Sequence, residues 1–467
     1  GVALGIVQDD KIVFAGGFGV REAGRQAKVD PDTLFLSASV TKPLTTLMLA
    51  KLVDAGRFNW DTPVIDVLPT FKLGDAEMTR QVQIKHLVCA CTGLPRRDID
   101  WTFASKGATP ASVVKTLATM KPNSKLGELY QYSNLLAATG GFVGGHALYP
   151  SKELGAAYDA AMQTLVFNPL GMTRTTFDFA VAQRGNYAAP HDRDIDGRTV
   201  RASMGFNYTG IPMRPDGGAW SSLADLLRYV RMELDDGLLV DGQRYIERST
   251  LLARRQQQVA RGGENQGYGM GLKIDSNKGT QLVWHGGSMA GYQAEVAWLP
   301  EHRVGVVFLA NANAGVYMRG PLQQRLMEVL FDAEPRAVKS ITAQAKRMVD
   351  NAQSERKKLT WPPSPLVTRS LATHYRNPEL GSIEVIRKGA ATWLDFGVWK
   401  SEVATRTEID GTNMLVTISP GVSGFQFVVN NKPGQRSLLL PEDHIFGEVL
   451  RGAKVRTRPL QTVSTAP

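Results

Sequence analysis

The stretch at residues 43–55 is apolar on almost every side of a helix, and it constrains the fold more than any other segment. A helix without a polar face cannot lie on a surface, so other elements must enclose it. Gly56 follows the stretch and is a typical residue for the end of a helix. A chain of 467 residues is too long for one compact core and predicts two or three domains.

Strand-like segments lie at both ends of the N-terminal part of the chain, with helical stretches such as residues 222–234 between them. Residues 2–8 and 11–15 are β-rich and are separated by Asp9-Asp10, which predicts a hairpin. Strand character returns at residues 281–284, 294–299 and 304–310. This order favours an α/β (α+β) fold in which distant parts of the chain form one antiparallel sheet flanked by helices.

The sequence Trp361-Pro362-Pro363-Ser364-Pro365 interrupts every regular pattern and follows a charged, helix-prone stretch at residues 334–359. Such a break is typical of a domain boundary. Short alternating segments follow it, at residues 382–387, 414–419, 425–430 and 437–440. Their spacing predicts a small antiparallel barrel or sandwich, and we expect side chains to fill its interior.

The composition, with 43% hydrophobic and 21% charged residues, is that of a globular protein rather than a disordered chain. The longest uncharged apolar run, residues 304–312, is about half the length that a membrane span requires. A net charge of +10 would suit anionic partners. Because the basic residues are scattered and not interleaved with aromatic ones, nucleic-acid binding is not expected.

The only two cysteines are Cys89 and Cys91. Their spacing predicts no disulfide between them, because two residues this near in the chain do not suit ordinary disulfide geometry. No second pair of Cys or His completes a zinc pattern.

Ser39 and Lys42 stand three residues apart where the chain enters the apolar helix, and therefore share one face of its first turn. A serine hydroxyl becomes a good nucleophile when a base takes its proton, and a lysine partly removed from water can assist. The backbone NH groups of the helix N-terminus favour developing negative charge. The motif alone is weak, because an N-capping serine and a solvated lysine give the same pattern.

Two further motifs follow in order, Tyr132-Ser133-Asn134 and Trp284-His285-Gly286-Gly287-Ser288. Together the three motifs resemble the active-site set of the penicillin-recognising serine hydrolases: class C β-lactamases, D,D-peptidases, D-aminopeptidases and related esterases. The likeness covers about residues 1–332. It includes residues 35–42, residues 52–69, Thr92-Gly93-Leu94-Pro95, Pro169-Leu170-Gly171-Met172, Gly217-Gly218 with Ser222 and Asp225, and Tyr268-Gly269-Met270-Gly271.

The resemblance implies a role for each matched residue. Ser39 would attack the substrate carbonyl, while Lys42 and Tyr132 would share the general-base role, with the proton acceptor left open. Asn134 would hydrogen-bond the substrate amide. The backbone NH groups of Ser39 and Ser288 would hold the oxyanion, next to His285 and beside Gly286 and Gly287, which permit close approach.

The resemblance also implies the organisation of the chain. A β-lactamase-like domain with a helical subdomain would occupy residues 1–333, and a helical, Pro-rich linker residues 334–365. A lipocalin-like β-barrel would cover residues 366–452, and residues 453–467 would be a tail. The barrel would serve binding, covering of the cleft or assembly rather than chemistry.

The sequence departs from the class C pattern at His285, where those enzymes have a lysine that meets the carboxylate of the drug. Histidine is largely neutral at pH 7, which favours the peptidase and esterase branches. Cys89-Ala90-Cys91 replaces a Thr-His-Thr-like stretch of the family, and we expect it to lie away from the catalytic motifs. The sequence starts at the first strand, with no signal peptide visible and without the usual N-terminal helix, which suggests truncation. The family nevertheless favours an extracytoplasmic, periplasmic location.

The resulting prediction is a serine hydrolase that forms an acyl-enzyme on Ser39, needs no metal or cofactor, and cleaves an amide or ester in a peptide or small molecule. A homo-oligomer is compatible with this prediction, and no membrane span is expected. Two alternatives are a penicillin-binding receptor or sensor that is acylated without efficient turnover, and a weak class C-like β-lactamase.

Two competing signals carry less weight. Residues 192–197 open like a calcium loop, but Ser203 stands where such a loop needs a glutamate. Ser288 lies in a sequence that imitates a nucleophile elbow, but its final glycine is absent.

Overall fold

The computed structural model describes residues 1–103, 107–276, 278–440 and 444–449. Twelve strands precede residue 311. In chain order they are β1 (Val2–Gln8), β2 (Lys11–Phe18), β3 (Phe35–Leu36), β4 (His191–Arg193), β5 (Thr199–Arg201), β6 (Trp220–Ser221), β7 (Val259–Ala260), β8 (Gln266–Tyr268), β9 (Lys273–Asp275), β10 (Leu282–Met289), β11 (Tyr292–Leu299) and β12 (Val304–Ala310).

Eight of these strands form one sheet in the order β2-β1-β12-β11-β10-β9-β8-β7. The first strand pairs antiparallel with the last, so that Val2 lies opposite Ala310. The sheet is therefore assembled from distant parts of the chain, as predicted. Asp9 and Asp10 form the predicted hairpin turn with φ angles of 47° and 64°, a conformation that aspartate tolerates better than most residues.

Fifteen α-helices are present in the described ranges. They are α1 (Thr41–Asp54), α2 (Val64–Val67), α3 (Ala76–Gln81), α4 (Ile84–Val88), α5 (Ile99–Thr102), α6 (Pro110–Thr116), α7 (Asn134–Leu148), α8 (Leu154–Met162), α9 (Phe179–Ala182), α10 (Arg214–Gly217), α11 (Leu223–Leu234), α12 (Arg248–Ala253), α13 (Val316–Leu330), α14 (Arg336–Lys357) and α15 (Pro365–Thr368). Within those ranges, no helix combines the length and the apolar character that crossing a membrane requires.

The apolar helix α1 is enclosed, as its sequence predicts. Leu44, Leu47, Met48 and Leu49 have no exposed surface, and α1 contacts α7, α10 and α12. Helix α11 covers one face of the sheet, where Gly5 of β1 makes room for its leucines. Helix α13 packs on the opposite face through a second apolar cluster. The sheet with helices on both faces confirms the predicted fold class.

The C-terminal strands close into an eight-stranded antiparallel barrel. They are β13 (His374–Asn377), β14 (Gly381–Lys388), β15 (Ala391–Asp395), β16 (Lys400–Thr407), β17 (Asn413–Thr417), β18 (Gln426–Asn430), β19 (Ser437–Leu440) and β20 (His444–Glu448). Alternate residues point inward, and Tyr375, Ile383, Leu394, Phe427 and Phe446 are fully buried in one cluster. The barrel prediction is confirmed, and its interior is packed with side chains.

The boundaries of the four predicted segments stay predictions. Helix α14 lies inside the segment predicted as a linker, and α15 begins at Pro365, at its end. The expected tail at residues 453–467 lies outside the described residues.

The prediction for the two cysteines is wrong. Cys89 and Cys91 are joined by a disulfide, with their Cα atoms 5.2 Å apart. Ala90 between them has a φ of 54°, a left-handed conformation that turns the chain so that the two side chains meet. The two cysteines also pack in one cluster with Tyr132 and Tyr268. The expectation that they lie away from the catalytic motifs is therefore wrong as well.

Candidate active site

Ser39 and Lys42 lie on consecutive turns at the start of the buried helix. Residues 38–40 form one turn of 3₁₀-helix directly before α1. Ala38 has a φ of 48°, which is unusual for a residue with a side chain and is a feature of strained functional turns. The Lys42 ammonium donates a hydrogen bond to the Ser39 hydroxyl over 3.1 Å, so the two side chains share one face as predicted.

The ammonium of Lys42 is almost completely buried, and its contacts, including the one to Ser39, account for all three of its donors. It donates to Asn134 Oδ1 over 2.7 Å and to the backbone oxygen of Asp216 over 2.8 Å, and it lies 3.2 Å from the Asp216 carboxylate. Burial alone would lower the pKa of Lys42, but the charges of Tyr132 and Asp216 outweigh it and raise the pKa. Lys42 is therefore held as an ammonium in the free protein.

Tyr132 contacts Lys42 through its ring, whose centroid lies 4.9 Å from the ammonium nitrogen. The ring is half-buried, and it packs edge-on against Tyr268 with centroids 6.2 Å apart. Ser133 follows, and its hydroxyl caps helix α7 by accepting from the Leu136 NH over 3.3 Å. This cap fixes the start of α7 and thus places Tyr132 and Asn134 beside Lys42.

Both ends of the Asn134 side chain are paired. Its oxygen accepts from Lys42, and its Nδ2 donates to Asp98 Oδ1 over 2.9 Å. The amide therefore has one fixed orientation in this structure.

Strand β10 passes the nucleophile on its other side. A Cβ added to Gly287 would come closer than 3.0 Å to the carbonyl oxygen of Ser37 and would lie 3.0 Å from the Ser39 nitrogen. Only glycine allows this approach of strand and turn. The backbone of β10 and the NH of Ser39 are thus brought together, while the oxyanion role of the Ser39 and Ser288 NH groups stays a prediction.

His285 is buried at the same strand edge. Its Nδ1 lies 2.9 Å from the Gly286 carbonyl oxygen and its Nε2 lies 3.2 Å from the Tyr268 hydroxyl. These partners fit the neutral tautomer with the proton on Nδ1. Burial, together with the positive charges of Lys273 and Lys42, lowers the pKa of His285 well below its ordinary value. The side chain is neutral at pH 7, as its sequence suggested.

Gly286 and Ser288 face the opposite side of β10, toward helix α13. A Cβ at Gly286 would collide with the guanidinium of Arg319, which also donates to the Ser288 hydroxyl over 3.0 Å. The Ser288 hydroxyl donates to the neutral amide of Gln293 over 2.7 Å. An amide oxygen is no base, so these contacts do not activate Ser288 as a rival nucleophile.

Sequence reasoning missed two carboxylates of the site, Asp216 and Asp98. Asp216 directly precedes Gly217-Gly218, which was noticed only as a likeness. Burial raises the pKa of Asp216 to about 6, although the Lys42 charge opposes this effect. Asp98 lies just before α5, in a stretch without any motif, and no sequence signal would have identified it.

The stretch predicted as a weak calcium loop forms the β4–β5 hairpin. The Asp194 carboxylate accepts from the NH groups of Asp196 and Arg198 and pairs with the Arg198 side chain over 2.8 Å. Across the part of the chain that the structure describes, no three His, Cys, Asp or Glu side chains are grouped so that they could hold a metal ion.

The sheet, the helices around it and the Ser39 site define the class of β-lactamase-fold serine hydrolases. The family model described as Beta-lactamase matches residues 1–326, and the chain belongs to this family. Penicillin-binding protein 4 of Amycolatopsis lactamdurans is 28% identical over 305 residues, which are 64% of this chain and 77% of that protein.

Two solved structures share the fold. The octameric penicillin-binding protein homologue from Pyrococcus abyssi is 22% identical, with a TM-score of 0.60 over 95% of both chains. A class C β-lactamase from Rhodobacter sphaeroides is 20% identical, with a TM-score of 0.53 over 67% of this chain and 90% of that one. The similarity to the Pyrococcus abyssi protein thus includes the barrel region, whereas the similarity to the Rhodobacter sphaeroides enzyme covers only part of this chain.

Proposed function

We propose that the protein is an acyl hydrolase that is acylated on Ser39 and cleaves an amide or an ester without a metal or cofactor. One observation carries the proposal: the Ser39 hydroxyl accepts a hydrogen bond from a buried ammonium that also lies under the ring of Tyr132. A nucleophile, a buried cation and a phenol in contact are the groups that acyl transfer requires.

Tyr132 is the better proton acceptor of the two residues that the sequence left open. Lys42 is held as an ammonium by Asp216 and Asn134, and it would have to lose a proton that these partners stabilise. The Tyr132 ring lies 4.9 Å from this ammonium, and Tyr132 is the remaining candidate for the role of base. In this proposal Lys42 stabilises the base and orients the Ser39 hydroxyl.

The proposed reaction begins when Tyr132 takes the proton of the Ser39 hydroxyl as its oxygen bonds to the substrate carbonyl carbon. The NH groups of Ser39 and Ser288 hold the resulting oxyanion. Tyr132 then gives the proton to the leaving amine or alcohol as the scissile bond breaks. A water molecule, deprotonated by the same group, releases the acid and restores Ser39.

The charge at the strand edge bears on the substrate class. His285 is neutral and buried, so it supplies no fixed positive charge for a substrate carboxylate. Arg319 of α13 also contacts β10, but it lies on the other face of the strand and pairs with the buried Glu295 over 3.3 Å. Peptides and esters are therefore proposed ahead of β-lactams as substrates.

The similarity to a relative named penicillin-binding protein 4 favours one alternative, a receptor that is acylated by penicillin and then stops. Steady-state turnover separates the two functions. An enzyme releases many equivalents of product per protein from a small ester, whereas a receptor stops after about one equivalent.

Covalent labelling tests the nucleophile. Ser39→Ala should abolish labelling of the full chain by a fluorophosphonate probe and by a fluorescent penicillin, while Ser288→Ala, the matched control, should keep it. Labelling that persists in Ser39→Ala would refute the proposal. A screen of D- and L-amino-acid amides, peptides, short esters and a chromogenic cephalosporin would then identify the substrate class.

We also propose that the chain assembles into a homo-oligomer, since an octameric protein shares the fold over nearly all of both chains. Light scattering coupled to size-exclusion chromatography measures the mass of the particle directly. A particle of 51.0 kDa, the mass of one chain, would contradict this proposal.

A further inference from the structure

One aromatic side chain leaves the hydrolase part of the molecule and enters the barrel. Phe103 follows helix α5 and is only 2% exposed, because it belongs to the apolar cluster inside the barrel. Its ring contacts five aromatic rings of the barrel at centroid distances of 5.2–6.4 Å, those of Phe396, Trp399, Phe425, Phe427 and Phe446. Phe103 thus anchors α5 in the barrel.

The backbone next to Phe103 is held in the same way. The indole NH of Trp399 in the barrel donates to the Thr102 carbonyl oxygen over 2.7 Å, in a buried hydrogen bond. The single turn of α5 is closed by hydrogen bonds from the NH groups of Thr102 and Phe103 to Asp98 and Ile99, over 3.1 and 3.2 Å. A displacement of Phe103 would therefore be transmitted to Asp98.

Asp98 lies at the other end of this turn and contacts the active site. Its Oδ1 accepts from Asn134 Nδ2 over 2.9 Å and from the indole NH of Trp101 over 3.0 Å. Its Oδ2 pairs with Arg96, whose guanidinium lies over the ring of Tyr132 at 5.4 Å. Asp98 thus contacts Asn134 directly and Tyr132 through Arg96.

The chemistry of these groups admits only one orientation of Asn134. An ionised carboxylate only accepts hydrogen bonds, and an ammonium only donates them. With Asp98 on one side and Lys42 on the other, the amide nitrogen must face Asp98 and the oxygen must face Lys42. The reversed amide would place its NH₂ against the ammonium and its oxygen against the carboxylate, which is unfavourable on both sides.

We propose that Asp98 is a positioning residue for the reaction and that the barrel, through Phe103, holds it in place. Asp98 fixes the amide of Asn134, and Asn134 in turn fixes the ammonium of Lys42 against the Ser39 hydroxyl. The barrel is then part of the apparatus that aligns the nucleophile, in addition to any role in binding. This inference rests on the proposed function, because it concerns acylation of Ser39.

The first test is the rate of Ser39 acylation at saturating probe in full-chain variants. Asp98→Ala should lower this rate roughly tenfold to a hundredfold, the scale of a misaligned catalytic group. Asp100→Ala is the matched control. It removes a carboxylate of the same turn, but this carboxylate pairs with Arg97 and not with Asn134, so the acylation rate should stay within about threefold of wild type. Asp98→Asn keeps an acceptor oxygen and should restore much of the rate. A wild-type rate in Asp98→Ala would overturn the inference.

The second test is a double-mutant cycle. If Phe103 acts through Asp98, the variant carrying both Phe103→Ala and Asp98→Ala should react no more slowly than Asp98→Ala alone. If Phe103 is only an apolar contact between two parts of the molecule, the two losses multiply, and the inference fails. Should Phe103→Ala not fold, Phe103→Leu replaces it in the cycle, with folding checked by thermal unfolding.

A pH profile adds a readout that a merely structural contact would not move. Loss of the aligned Asn134 oxygen removes an acceptor from the Lys42 ammonium, so the alkaline limb of the acylation rate should shift to lower pH in Asp98→Ala and stay in place in Asp100→Ala. Wild-type protein that is not labelled at all would refute the proposed function instead. Labelled wild type with unaffected Asp98 and Phe103 variants would refute only this inference.

Discussion

Replacing Gly287 with alanine should disable the proposed oxyanion site without a change of any charged or nucleophilic group. The new Cβ would come closer than 3.0 Å to the Ser37 carbonyl oxygen, a distance that real Cβ atoms do not keep. Gly287 pairs with Ala294 of β11, whereas the pairing of β10 with β9 ends at Trp284. Because the clash is with backbone atoms of the turn that carries Ser39, the strand and this turn must move apart. A displacement of about 1 Å is enough to cost roughly a hundredfold in rate. Loss of one oxyanion donor costs about 2.7–4 kcal/mol, or roughly a hundredfold to a thousandfold.

Gly286→Ala is the matched control, because the same substitution one residue earlier points to the other face of the strand. Its Cβ meets the end of the flexible Arg319 side chain, which can rotate away, whereas backbone atoms of the nucleophile turn cannot. The assay is the rate of fluorophosphonate labelling, with thermal unfolding of both variants to show that the fold persists. Gly287→Ala reacting at the wild-type rate, or both variants losing the same factor, would refute the reasoning.

Four further perturbations have defined outcomes. Asp216→Asn removes a negative charge that raises the pKa of Lys42, so the alkaline limb of the acylation rate should move to lower pH, and an unchanged limb would contradict the pairing. Burial would raise the pKa of Glu233, but the charges of Arg254 and Arg255 outweigh burial and hold the pKa below 4.5. The stability that the ionised Glu233 contributes to the fold should therefore be complete above pH 4.5 and be lost as the pH falls below that value. Glu233→Gln leaves the buried Arg254 without an anion and Arg255 with only Asp236 at 3.6 Å, and it should lower the free energy of unfolding at pH 7 by about 3–5 kcal/mol, as thermal or urea unfolding will measure. The unreduced protein should show no free thiol in a titration, and replacing both Cys89 and Cys91 with serine should cost only about 1–2 kcal/mol of stability because the loop between them is so short.

The parts of the fold that follow local rules could be predicted from the sequence. The burial of α1 follows from its apolar faces, and the hairpin at Asp9-Asp10 follows from turn chemistry. The helical stretch predicted at residues 222–234 corresponds to α11, which begins after Ser222, whose hydroxyl caps it. The alternation of residues 425–430 corresponds to β18 with Phe427 inside the barrel.

Contacts between segments far apart in the chain, and one unusual local backbone conformation, could not be predicted. Asp216 is an ordinary aspartate in the sequence, and it becomes a site residue only because α10 packs beside α1. The Cys89–Cys91 disulfide depends on the left-handed conformation of Ala90, a residue that rarely adopts it. Phe103 is an apolar residue of the kind found in protein cores. No neighbouring residue in the sequence indicates that Phe103 belongs to the core of the barrel rather than to that of the hydrolase part.

The polar groups around Ser39 form a hydrogen-bond network in which the donor or acceptor character of each residue fixes that of its neighbour. Asp98 only accepts, Asn134 donates on one side and accepts on the other, Lys42 only donates, and Asp216 only accepts. Exchange of any member for an isostere of the opposite hydrogen-bonding character leaves two donors or two acceptors facing each other in a buried site. The Ser39 hydroxyl, bonded to Lys42, is partly exposed, and so is Asp98 at the far end of the network. The arrangement thus directs the one reactive group to the cleft while the groups that orient it stay fully paired, which is the condition for a preorganised nucleophile.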